Sequence, residues 1–152
     1  MRVIAREPAT GEASRTLFAE YMDLVRARLG SGFVPTADIF ATEEDFDVPG
    51  AAWLVARDEG RAVACGGLRP LAGDAGEIKR MFVTGSDRRR GHGRALLAEL
   101  EFLAREAGCA RVLVYTTEVL VEARALYRAQ GYRAVGVDAF AGRIDLWLEK
   151  RL

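Results

Sequence analysis

The spacing of apolar positions changes several times along the chain, and each change marks an element. Arg2 to Arg6 alternates weakly, which predicts a first strand that Pro8, Thr10 and Gly11 interrupt. From Ser14 to Leu29, Phe18, Met22, Val25 and Leu29 fall at helical spacing. Leu17, Tyr21 and Leu24 widen that stripe, and Gly30 stands where a helix stops. Gly30 to Gly50 has no regular period. It holds Gly32, Pro35, Pro49 and the acidic residues Glu43, Glu44, Asp45 and Asp47, and leaves room for one short helix. Trp53–Ala56 and Ala62–Leu68 read as a hairpin about Asp58-Glu59-Gly60, and Glu77–Val83 as a further strand.

The clearest helix runs from Gly91 to Ala107, with Leu96, Leu100, Leu103 and Ala107 on one face and Glu101 and Arg105 paired on the outer face. Gly108 ends it. Val112–Tyr115 is a short apolar run that predicts a strand buried on both faces. A last helix spans about Leu120 to Gln130, and strands near Tyr132–Val137 and Ile144–Glu149 close the chain. The order is β, α, three strands, α, β, α, β, β. Its central β-α-β unit needs a right-handed crossover. This predicts a mixed-sheet α/β or α+β domain over residues 1–152, and not a doubly wound nucleotide fold.

Composition narrows the function. Half of the 152 residues are hydrophobic, 29% are charged and the formal net charge is zero, which offers no broad basic field for nucleic acid or an anionic membrane. Lys79 and Lys150 are the only lysines, so arginine carries the positive charge. Cys65, Cys109 and the lone His92 do not build an ordinary zinc site, and no metal is expected. Met1 to Glu7 has no apolar core of a signal peptide and no run reaches membrane-spanning length, so a cytoplasmic protein is expected.

The most informative segment is Arg88-Arg89-Arg90-Gly91-His92-Gly93-Arg94, between a strand and a helix. A helix start exposes unpaired N–H groups and the positive end of the dipole. Gly91 and Gly93 let the backbone approach a ligand closely, so successive N–H groups can cradle a pyrophosphate while the arginines neutralise further charge. The segment is not a P-loop, because no Gly-Lys-Ser/Thr follows. It is not a dinucleotide fingerprint either, because Leu96 stands where the third glycine belongs.

With Arg88, Gly91 and Gly93 the segment resembles the Q/R-x-x-G-x-G/A pattern of the GCN5-related N-acetyltransferase (GNAT) superfamily. Glu77–Val83 looks like the strand before it in that family. Ala123–Tyr132 is similar to the family's A-x-x-L-Y-x-x-x-G-[FY] segment. The likeness covers about Ala52 to Leu148. Leu120 stands where many members carry an asparagine, and Thr84–Asp87 lacks the frequent proline.

The resemblance implies a mixed, mostly antiparallel sheet flanked by helices. It also implies acetyl-CoA as cosubstrate and direct attack of a primary amine in a ternary complex. Main-chain groups of Met81, Phe82 and Val83 would pair with the pantetheine arm, and Arg88, Arg89, Arg90, Gly91, His92, Gly93 and Arg94 would surround the pyrophosphate. A main-chain N–H near Met81 or Phe82 would stabilise the oxyanion. Tyr127 matches the tyrosine that many members use as general acid, and a phenol stays protonated at neutral pH; its other reading is a core aromatic. Glu77 matches a glutamate base, with ordered water as the alternative base and an ion pair with Lys79 or Arg80 as the alternative role. His92 packs or touches phosphate.

The acceptor is a small-molecule or peptide amine, for which Tyr21, Phe46 and Trp53 are candidate pocket residues and the acidic stretch a candidate attractor. A homodimer through the closing strands stays open. Two other functions compete: a CoA-binding regulator without catalysis, and a nucleic-acid-binding module built on Arg88 to Arg94.

Overall fold

Seven strands pair into one sheet in the order β1-β2-β3-β4-β5-β7-β6. The strands are β1 (Arg2–Arg6), β2 (Ala52–Asp58), β3 (Arg61–Pro70), β4 (Ala75–Val83), β5 (Arg111–Thr117), β6 (Arg133–Phe140) and β7 (Arg143–Arg151). The computed structural model describes residues 1–30, 33, 36–140 and 143–152; Gly32 and Pro35 lie outside the described residues. Every neighbouring pair is antiparallel except β4 and β5, which run parallel and are joined by a helix. Parallel neighbours need such a crossover. The mixed sheet expected from the element order is therefore present, and it is mostly antiparallel, as the resemblance implies.

Helix α1 (Glu12–Leu29) ends at Gly30, whose φ of 97° suits a residue without a side chain. Short α2 (Ala37–Phe40) and a 3₁₀ turn at Glu43–Phe46 follow in the irregular stretch. Helices α3 (His92–Glu106) and α4 (Val121–Ala129) lie on the other face. There Leu96, Leu97 and Leu100 pack with Ile78, Val112, Val114 and Leu148 in the main core. A second core under α1 joins Leu17, Phe46, Trp53, Val55 and Phe82.

Three sequence expectations change. The buried stripe of α3 runs through Leu96, Leu97, Leu100 and Ala104, while Ala107 is exposed. Glu101 is buried rather than outward, because Lys150 Nζ and Tyr132 Oη, brought in from β7 and from just before β6, donate to it at 3.0 and 3.3 Å. β5 is buried on one face only: Val112, Val114 and Thr116 are covered, while Leu113 and Tyr115 are half-buried. On that face α1 packs chiefly against β3 and β4.

Candidate active site

The parallel pair opens into a groove because each strand keeps its antiparallel partner. β4 pairs with β5 only from Ala75–Ile78 to Arg111–Val114. Beyond that, β4 follows β3 to Val83, and β5 follows β7 to Thr117. The main chain of Met81, Phe82 and Val83 therefore has a strand on one side and the groove on the other. The groove holds about 550 Å³, within the usual range for ligand pockets.

A bulge sharpens the opening. Cys65 faces Phe82 and Gly67 faces Lys79, so two residues of β4 oppose one of β3. Arg80 sits in the bulge at φ 57°, a left-handed conformation that costs a non-glycine residue about 1–3 kcal/mol. Three hydrogen bonds hold it there, to Phe40 O at 2.9 Å, Ala41 O at 2.8 Å and Glu43 Oε1 at 3.3 Å. Its guanidinium also lies 4.0 Å from the Phe18 ring centroid. Because of the bulge, Lys79 and Arg80 both reach the segment that carries α2, and Lys79 Nζ donates to Ile39 O at 2.7 Å.

The arginine- and glycine-rich loop lies at one end of the groove. Arg88, Arg89, Gly91, His92, Gly93 and Arg94 line it, as do Met81, Phe82 and Val83. Arg90 does not line it, and its guanidinium lies 3.9 Å from Asp87. Gly91 is the N-cap of α3 in a left-handed conformation, φ 78°. Gly93 has a packing reason besides ligand approach: a Cβ there would sit 3.2 Å from Leu126 and 3.3 Å from Val83.

Asp87 pins the loop. Arg61 donates to both its oxygens at 2.7 and 2.8 Å, and the Thr84 and Ser86 hydroxyls donate at 2.7 and 2.9 Å. Arg61 first, then Thr84, hold this carboxyl well below the usual range. His92 is buried, its two ring nitrogens have no hydrogen-bond partner, and Nε2 lies 3.7 Å from Asp58.

Tyr127 marks the other end. It lines the groove and also a second cavity of about 50 Å³ on the α1 side of the sheet. Burial, and then the nearby Tyr21, push its phenol well above the ordinary value. Among the described residues no group hydrogen-bonds its hydroxyl. The side chain packs as a core aromatic, 5.4 Å from Tyr132 ring to ring.

Glu77 lies outside the linings of both cavities. Arg69 Nε donates to its Oε1 at 2.8 Å, and its Oε2 lies 3.2 Å from Lys79 Nζ without a hydrogen-bond partner. Lys79 is the member of this chain that reaches the second cavity.

Of the three candidate pocket aromatics, Tyr21 lines both cavities. Trp53 belongs to the core, where its Nε1 donates to Ser14 at 2.8 Å and its ring packs on Phe46 at 5.0 Å. The acidic stretch is committed locally: Glu43 pairs with Arg80, and Asp45 accepts from Thr42. Sequence reasoning missed Asp145, Tyr115 and Thr117, which line the second cavity. They come from β5 and β7, and only the register that sets Thr117 opposite Asp145 brings them together. Among the described residues no acidic, histidine and cysteine cluster could hold a metal, and no helix is long and apolar enough to cross a membrane.

Known proteins resemble the chain in sequence and in fold. The chain is 38% identical over 107 residues to an IAA acetyltransferase of Azospirillum brasilense, covering 68% of this chain and 70% of that protein. A ribosomal-protein-alanine N-acetyltransferase from Brucella melitensis superposes with a TM-score of 0.74 at 27% identity, over 99% of each chain. An aminoglycoside 6'-N-acetyltransferase complexed with coenzyme A shares the fold, with a TM-score of 0.73 at 18% identity over 98% of this chain and 96% of that one. The profile of the Acetyltransferase (GNAT) family matches residues 17–132, and the chain belongs to that family.

Proposed function

We propose that the protein, acting as one domain over residues 1–152, transfers an acetyl group from acetyl-CoA to a primary amine in a ternary complex. One observation carries this reading: a groove along Met81–Val83 leads from the arginine- and glycine-rich loop to Tyr127, which also lines a smaller cavity between the splayed ends of β4 and β5.

The residues present suit a phosphate-bearing thioester. The helix start at Gly91 and the neighbouring arginines suit phosphate oxygens. The open edge of Met81–Val83 suits an extended amide arm. The cosubstrate supplies an activated acetyl carbonyl and a thiol leaving group. A main-chain N–H near Met81 or Phe82 steadies the negative charge that develops on the carbonyl oxygen.

Tyr127 donates its proton to the departing sulfur, a role open to a phenol because it is protonated at neutral pH. Glu77 serves as the proton acceptor through Lys79. Lys79 passes a proton to Glu77 Oε2 and takes one from the amine, and burial makes the Lys79 ammonium easier to deprotonate.

Calorimetric titration with acetyl-CoA, alongside dephospho-CoA, ATP and NAD, tests this reading. Micromolar binding of acetyl-CoA that Arg89→Ala weakens supports it, and a folded protein that binds none of it overturns it. A protein that binds acetyl-CoA and releases no thiol with any amine is the non-catalytic CoA binder.

A further inference from the structure

The arginines around the loop are not equally free. Arg88 donates to Val83 O and to Glu122. Arg90 and Arg61 are both turned to Asp87. Arg89 and Arg94 line the groove, and their side chains have no hydrogen bond or ion pair among the described residues.

A further arginine joins them from a distant part of the chain. On β1, Ile4 packs toward the main core under α3, and strand alternation puts Arg2 on the same face. Arg2 pairs in register with Asp58 at the end of β2, and the Asp58 carboxylate lies 3.7 Å from His92 in the first turn of α3. The Arg2 guanidinium thereby comes to the helix start. Its Nη1 lies 3.8 Å from the point that a Cβ on Gly91 would occupy. Arg2 is exposed and, among the described residues, its side chain has no hydrogen bond or ion pair.

Position separates its role from that of Arg89 and Arg94. Arg2 does not line the groove but stands outside it, beside exposed Gly91. In the reading above, the thioester end of coenzyme A lies toward Tyr127 and the pyrophosphate toward the loop. The molecule has one more phosphate past the pyrophosphate, a monoester on its ribose, which carries nearly two negative charges at neutral pH. A guanidinium offers such a group two parallel N–H donors. With Arg61 and Arg90 committed to Asp87, Arg2 is the cation left for it beside the loop.

We infer that Arg2 binds the ribose phosphate of the cosubstrate and makes this chain select coenzyme A over its dephosphorylated form. This rests on the acetyl-CoA reading above and adds a specificity residue to the same site.

Calorimetry with coenzyme A and with dephospho-CoA tests it. The wild type is expected to bind coenzyme A about tenfold more tightly than dephospho-CoA, the size of one charge-assisted contact. Arg2→Ala is expected to weaken coenzyme A about tenfold and leave dephospho-CoA unchanged, so that the ratio disappears. Arg6→Ala removes the same charge from the other end of β1 and is expected to keep the ratio. A wild type that does not distinguish the two ligands overturns the inference and leaves coenzyme A binding standing. So does an Arg2→Ala protein that loses both equally or neither. Loss of the ratio in Arg6→Ala overturns it as well, because the effect then belongs to the general charge of the strand. Arg2→Gln, which keeps the side-chain stem, decides should Arg2→Ala fail to fold. A wild type that is folded and binds neither ligand overturns both readings.

Discussion

Arg28, near the end of α1, donates two hydrogen bonds to Glu122 in the first turn of α4, at 2.5 and 2.6 Å. The same guanidinium donates to Val119 O at 3.0 Å, and Arg88 reaches Glu122 at 3.5 Å. Glu122 and Arg88 both line the groove, so this cluster ties the two helices and the phosphate loop together at its wall.

The pH dependence of this tie has a definite sign. The hydrogen-bonded Arg28 guanidinium, acting against burial, holds the Glu122 carboxyl down from 4.5 to about 2. A carboxyl with a depressed folded pKa contributes stability above its unfolded pKa and loses it as pH falls through the folded one. Glu122→Gln should lower Tm by about 2 °C at pH 6, a modest figure because the pair is partly exposed. The gap should persist down to about pH 4.5 and close toward about pH 2. Thermal melts of both proteins across that range check it.

Tyr127→Phe removes a hydroxyl and little volume. The variant should fold and bind acetyl-CoA as before, while kcat falls about 100-fold or more, the usual scale for a lost general acid. Steady-state kinetics with calorimetry separate the two effects. An unchanged kcat would return Tyr127 to a purely packing role.

Gly91→Asp places a side chain at φ 78° and a negative charge at the start of α3. Acetyl-CoA affinity should fall by more than the roughly tenfold expected of Arg89→Ala. Calorimetry at fixed salt reads both, with circular dichroism as the folding control.

Arg80→Ala strips three hydrogen bonds from the segment Phe40–Glu43. Stability should fall by about 2–4 kcal/mol, because two buried carbonyls lose their charged donor. Urea unfolding measures the loss. The same variant should raise the acceptor KM far more than it changes acetyl-CoA affinity, since Arg80 lines the smaller cavity and not the groove.

Glu77→Gln keeps the shape of the side chain and removes its basicity. In the proposed relay, kcat should fall about 10- to 100-fold at neutral pH and recover in part as pH rises and free amine accumulates. A flat pH–rate comparison with the wild type would leave proton removal to water.

Local chemistry wrote much of this molecule into its sequence. The turn at Asp58-Glu59-Gly60 between β2 and β3, the leucines of α3 and the glycines that end α1 and begin α3 act over a few residues, and each was readable as such. So was the phosphate loop, because its strand, arginines, glycines and helix start are contiguous. What depends on distant partners was not readable. The periodicity of α3 placed Glu101 outside, and only Lys150 and Tyr132 turned it inward. The apolar run of β5 did not tell that Leu113 and Tyr115 would stay half-buried, since α1 packs chiefly against β3 and β4. The bulge that sets Arg80 beside Lys79, and the register that sets Asp145 beside Tyr115 and Thr117, have no local signature, because strand pairing is decided by the whole sheet. The loop at the end of the groove is thus largely a property of contiguous sequence. The smaller cavity exists only once β5, β7, α1 and α2 have met, since its carboxylate, its cations and its apolar wall come from separate parts of the chain.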